Sequence, residues 1–148
     1  MGDDPRWAAA DLDDTGWEIV AENRLPLQAG IFWVRLHVRS RDSRGRLPSL
    51  VVMPDNKAHD LFCDGVLIHS SGVPGNSARE EVGPMALAKI ELPAIATTPG
   101  EHVFAFRMST YRRGYPGSAF TPLGFHLVPA DKFHEQHSRL NMLCTLGL

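Results

Sequence analysis

The 148 residues suit one domain around a single core, with 43% hydrophobic and 22% charged residues. A net charge of −2 supplies neither the basic excess of a nucleic-acid binder nor the acidic block of a solvating tail. No apolar run approaches the roughly 20 residues that span a bilayer, and Met1-Gly2-Asp3-Asp4 reads directly into domain sequence without a visible signal peptide.

Along the chain, strand signals dominate, punctuated by 13 Gly and 11 Pro at the spacing of an all-β sandwich. The first distinctive stretch is Trp7 followed by Asp11-Leu12-Asp13-Asp14-Thr15-Gly16-Trp17, an Asp-rich turn flanked by tryptophans. The clearest strand is 31–39. Phe32, Val34, Leu36 and Val38 alternate there with Ile31, Trp33, Arg35, His37 and Arg39. A short buried strand is expected at 50–53. Leu61-Phe62-Cys63 and Val66-Leu67-Ile68 bracket Asp64-Gly65, a two-residue hairpin signal that asks for positive φ at both turn positions.

Further on, 85–92 alternates, and Pro99-Gly100 turns into a strand at 102–108. There Phe104, Phe106 and Met108 oppose Val103, Ala105 and Arg107. A last strand is expected within 120–128. Residues 131–143 form the one credible helix, capped by Asp131, with Phe133, His137, Leu140 and Leu143 on one side. The segments 70–81 and 111–118 read as long Gly/Pro-rich loops.

Few constellations carry chemistry. Asp11, Asp13, Thr15, Gly16 and Glu22 match some positions of a helix-loop-helix calcium loop, but the flanks lack amphipathic helices. The turn reads instead as an Asx-type turn, with a calcium site of another geometry as the alternative. His134-Glu135-Gln136-His137 brings the second histidine one residue too soon for a zinc-protease helix, so no metal is expected there. Cys63 and Cys144 give no metal spacing and no disulfide framework, and Cys63 reads as a buried free thiol. No nucleophile elbow, dinucleotide fingerprint or phosphate loop is present.

What remains is one sheet face. Trp33 and Arg35 on one strand, and Arg107 on another, lie out of phase with the core rows. An indole that can stack on a sugar ring beside guanidinium forks suits a carbohydrate or a carboxylate. Tyr111 and Arg112 would extend that site. The competing reading is that each arginine pairs with a carboxylate and locks the sheet, with 111–115 a plain solvated loop.

The order of these pieces resembles a known family. Trp7, DLDDTGW (11–17), GIFWVRLHV (30–38), the Asp64-Gly65-Val66 turn and PGEHVFAFRM (99–108) are similar to the galactose-binding-like jelly-roll domains. Such domains stand at the N-terminus of β-galactosidase and β-glucuronidase type glycoside hydrolases, and also serve as extracytoplasmic sensors of bacterial membrane receptors. The hairpin departs from the family's usual Asn at Asp64, which removes an amide donor.

The resemblance implies a jelly-roll β-sandwich of about eight strands over residues 1–130, with 131–148 a helical segment leading to a following membrane helix. It implies a non-catalytic, extracytoplasmic ligand-sensing domain without a resident cofactor. A small carbohydrate or anionic metabolite would bind at Trp33, Arg35, Arg107, Tyr111 and Arg112. The alternative is a carbohydrate-binding accessory module of a glycoside hydrolase. Expected core residues are Phe32, Val34, Leu36, Val51, Phe62, Leu67, Phe104 and Phe106, with Trp7 and Trp17 closing one end.

Overall fold

A computed structural model describes residues 2–19, 30–40, 48–52, 58–83, 88–93, 96, 98–111 and 125–129. They form seven strands: β1 (Ile31–Ser40), β2 (Pro48–Val52), β3 (Ala58–Cys63), β4 (Val66–Ser71), β5 (Ala88–Glu91), β6 (Gly100–Ser109) and β7 (Phe125–Pro129). A single 3-10 turn, Pro5–Ala8, precedes them. The protein is all-β among the described residues. None of its described helices is long and apolar enough to cross a membrane. The expected helix at 131–143, together with Arg112 and Cys144, lies outside the described residues.

The strands make two antiparallel sheets, ordered β1-β6-β3-β4 and β5-β2-β7. Alternation in β1 and β6 sets the first sheet's faces. Phe32, Val34 and Leu36 from β1, with Phe104, Phe106 and Met108 from β6, point to one side. Leu61 and Cys63 of β3 join them, as does Ile90 of β5, which brings the second sheet into the same core. Each such side chain contributes about 1.5–3 kcal/mol by leaving water.

The β3–β4 hairpin forms as its Asp-Gly turn demands, with φ of 48° at Asp64 and 83° at Gly65. Two expected core residues face the other way. Phe62 alternates out of the core and stacks on Trp33, ring centroids 5.6 Å apart. Leu67, its partner across the hairpin, is 52% exposed. Val51 belongs to β2, whose side chains lie outside the described set.

The far face of the first sheet carries its own cover. Residues 2–19 lie across it as a strap, seating Ala8 against Ile31, Trp33 and Ala105, with Trp7, Trp17, Phe62 and Tyr111 packed around them. Trp7 and Trp17 therefore cover a sheet face, where the sequence suggested the end of a sandwich. Trp7 meets both other tryptophans edge-on, at 5.4 Å from Trp17 and 6.2 Å from Trp33, the geometry aromatic quadrupoles favour.

Candidate functional site

Register assembles the expected site on this outer face. Trp33 of β1 stands directly opposite Arg107 of β6, and Arg107 opposite Asp60 of β3. Asp60 in turn faces Ser70 of β4. The next row is Arg35, Ala105, Phe62 and Leu67. Because cross-strand partners project on the same side, a period-of-two reading suffices to bring Trp33, Arg35 and Arg107 together. Tyr111, just beyond β6, packs into the same cluster.

The strap and β3 supply partners the sequence reading did not name. Asp3 receives a fork from Arg107, Nε to Oδ1 and Nη2 to Oδ2, both at 2.7 Å. Its Oδ1 also accepts the Trp33 indole N–H at 3.1 Å. Arg107 Nη1 donates a longer bond, 3.2 Å, to Asp60 Oδ2, and Ser70 Oγ donates to Asp60 Oδ1 at 2.7 Å. The Arg107 fork holds Asp3 below the usual carboxylate range against the opposing effect of burial. The side chains of Arg107, Asp3 and Asp60 keep a fifth to a quarter of their surface in water.

Arg35 is enclosed more completely. It is 0% exposed, lies 5.9 Å from the Trp17 ring centre, and donates Nε to Asp14 Oδ2 at 2.7 Å. Its Nη1 donates to the Trp7 and Ala9 carbonyls at 2.6 and 2.8 Å, while the buried Nη2 has no hydrogen-bond partner. Asp14 also meets His37 Nε2 at 2.9 Å. Burial works to raise the Asp14 pKa, but the bonds from His37 and Arg35 outweigh it and bring it down.

Trp33, at 5% exposed, is likewise roofed by the strap. Both arginines are thus paired with carboxylates, as the competing reading expects, and they differ in exposure: Arg35 is fully enclosed, whereas Arg107 and Asp60 keep part of their surface in water.

The Asp-rich turn is an Asx turn at Asp13, whose Oδ1 accepts Thr15 N–H at 3.1 Å and Thr15 Oγ1–H at 2.7 Å. Asp13 and Asp14 are both engaged by protein donors, so a calcium ion bound there would compete with Thr15, Arg35 and His37.

A second cluster lies where the Asp64-Gly65 turn meets the start of β6. Cys63 Sγ, a carboxylate oxygen of Asp64 and a ring nitrogen of His102 all fall within 4.8 Å of one another. His102 Nδ1 donates to Asp64 Oδ2 at 2.8 Å and Nε2 donates to the Thr98 carbonyl at 2.9 Å. Both partners are acceptors only, so the ring in this arrangement carries both protons. Burial opposes that charge, but the bonds to Asp64 and Thr98 raise the His102 pKa above its usual value.

Asp64 Oδ1 accepts the Val103 backbone N–H at 2.8 Å. Cys63 is a free, buried thiol, and burial beside the Asp64 carboxylate pushes it up to about 12. That is the reverse of an activated nucleophile. The cluster joins groups 38 positions apart, so no sequence spacing announced it. Its only local signal was a cysteine directly before an Asp-Gly turn.

No protein-family model, curated protein or solved structure matches the chain.

Proposed function

We propose that this chain is a galactose-binding-like jelly-roll domain that senses a small carbohydrate or anionic metabolite, without catalysis, as the extracytoplasmic part of a bacterial membrane receptor. The two-sheet all-β architecture and the order of motifs from Trp7 to PGEHVFAFRM support the fold. One observation supports the ligand reading: beyond the roofed Trp33, the Arg107–Asp60–Ser70 part of the row is a line of paired donors and acceptors that reaches solvent.

The 3.2 Å bond between Arg107 and Asp60 is the longest of Arg107's three. It is the one a ligand's neighbouring hydroxyls would replace, one accepting from Arg107 and one donating to Asp60. Tyr111 and Arg112 would rim the ligand. Arg35 would support the strap from below.

The test is calorimetric and NMR titration of the chain with neutral monosaccharides and sugar acids, repeated on Arg107→Ala. The reading expects saturable binding by the parent and none by a variant whose circular dichroism is unchanged. Loss of fold in Arg107→Ala would assign the arginine to sheet locking and remove the ligand site. The motif order also supports an accessory module of a glycoside hydrolase, which would use the same row. Membrane helices encoded beside the domain favour the receptor; a catalytic barrel favours the module.

A further inference from the structure

We propose that Cys63 Sγ, Asp64 Oδ2 and His102 Nδ1 form a binding site for a zinc-class divalent cation at the β3–β4 turn. The convergence of Cys63 Sγ, an Asp64 carboxylate oxygen and a His102 ring nitrogen within 4.8 Å of one another is the first ground. The second is that two of them are already oriented from outside. His102 gives its other ring nitrogen to the Thr98 carbonyl, the bond that typically fixes a metal-bound imidazole and leaves the opposite nitrogen for the ion. Asp64 anchors Oδ1 on the Val103 N–H, leaving Oδ2 turned toward His102. The third is the turn itself. Asp64 is the one described non-glycine residue with positive φ, which brings its carboxylate back over the start of β6.

The donor set selects the ion. A thiolate with an imidazole suits zinc or cobalt(II) over calcium or magnesium, which prefer all-oxygen shells. Zinc bonds of about 2.0–2.3 Å put tetrahedral ligands roughly 3.3–3.8 Å apart. The 2.8 Å gap between His102 and Asp64 would therefore open by about half an ångström, within the reach of side-chain rotation.

Binding replaces all but one of the hydrated ion's waters with three protein ligands and releases those waters together with two protons, one from Cys63 Sγ and one from His102 Nδ1. No electron is transferred. The ion would enter past Asp64, whose side chain is 17% exposed, and water would fill the fourth position. The site shares no side chain with the Trp33–Arg107 row. It would staple the hairpin to β6.

Cobalt(II) added to the reduced 148-residue chain reads out sulfur ligation directly, as a near-ultraviolet thiolate charge-transfer band. The expected result is one equivalent bound, a band displaced by zinc, and a zinc-dependent rise in melting temperature. Cys144→Ser should keep the band. Cys63→Ser should abolish it, and His102→Asn should weaken cobalt binding at least tenfold with Cys63 intact and the fold checked by circular dichroism. No band in the parent chain would overturn the site, as would a band that survives Cys63→Ser. In either case the cluster is a proton-held latch alone.

Discussion

The two faces of the β1-β6-β3-β4 sheet are built from alternate residues of the same strands and are sealed by different physics. On the inner face Phe32, Val34, Leu36, Leu61, Phe104, Phe106 and Met108 exclude water by area, against residues that include Ile90 and Leu92 of the other sheet region. On the outer face Arg35, Arg107 and Trp33 are tied by directed bonds to Asp14, Asp3 and Asp60 and to strap carbonyls. The inner seal carries no charge and depends on close packing in one register. The outer seal is specific in geometry, and its charged groups exact a desolvation cost whenever a partner is missing. A face of that second kind can trade one internal bond for a ligand's, which the first kind cannot.

The contrast is broken most severely from the inside. Phe106 is 1% exposed and lies at the centre of β6, so Phe106→Ala should cost about 4 kcal/mol, the usual price of a large cavity in a packed core. Urea unfolding measures it, and a loss under about 1.5 kcal/mol would mean the sheets do not close tightly over this residue. Arg35→Leu should follow at about 3 kcal/mol, because Asp14 and the Trp7 and Ala9 carbonyls lose their shared donor while still covered. Hydrogen exchange distinguishes the two variants. Arg35→Leu should raise exchange within 2–19 ahead of β6, and Phe106→Ala should raise both together.

The same comparison shows what the sequence could convey. Period-two alternation in β1 and β6 was sufficient to place Trp33, Arg35 and Arg107 on one face, and the Asp-Gly pair was sufficient for a turn with two positive φ values. Phase failed where three apolar residues ran together: Leu61-Phe62-Cys63 has no polar marker, and only pairing with β6 decides that Phe62 turns outward. The acidic partners were illegible for another reason. Asp3, Asp14 and Asp60 meet their arginines across 104, 21 and 47 positions, distances over which only the finished fold fixes a pair. The Cys63–Asp64–His102 cluster belongs to the same class.

Acid should separate the faces without a mutation. Asp3 and Asp14 have lowered pKa values, so the stability they lend is fully present above the ordinary carboxylate pKa and is lost as pH falls through their lower folded values. Strap contacts should weaken below about pH 4. The apolar cluster around Phe104 and Phe106 is held by burial of area and should yield later. Tryptophan fluorescence, dominated by Trp7, Trp17 and Trp33, should shift before far-ultraviolet circular dichroism does. Coincident transitions would mean that strap and core unfold as one unit.

The smallest effect marks where the outer cover stops. Leu67 lies in the row of Arg35, Ala105 and Phe62, yet at 52% exposed it sits on β4 at the end of that sheet's strand order, with Val66 beside it at 53%. Apolar surface already in water gives little back when it is replaced. Leu67→Lys should therefore change unfolding free energy by no more than about 0.5 kcal/mol, whereas Phe62→Ala, one strand inward and stacked on Trp33, should cost several times more. A Leu67→Lys loss above about 1 kcal/mol would mean that the cover continues across β4. The outer face would then be a second closed core, and the Asp60–Ser70 end of the proposed ligand row would lie beneath it rather than at its rim.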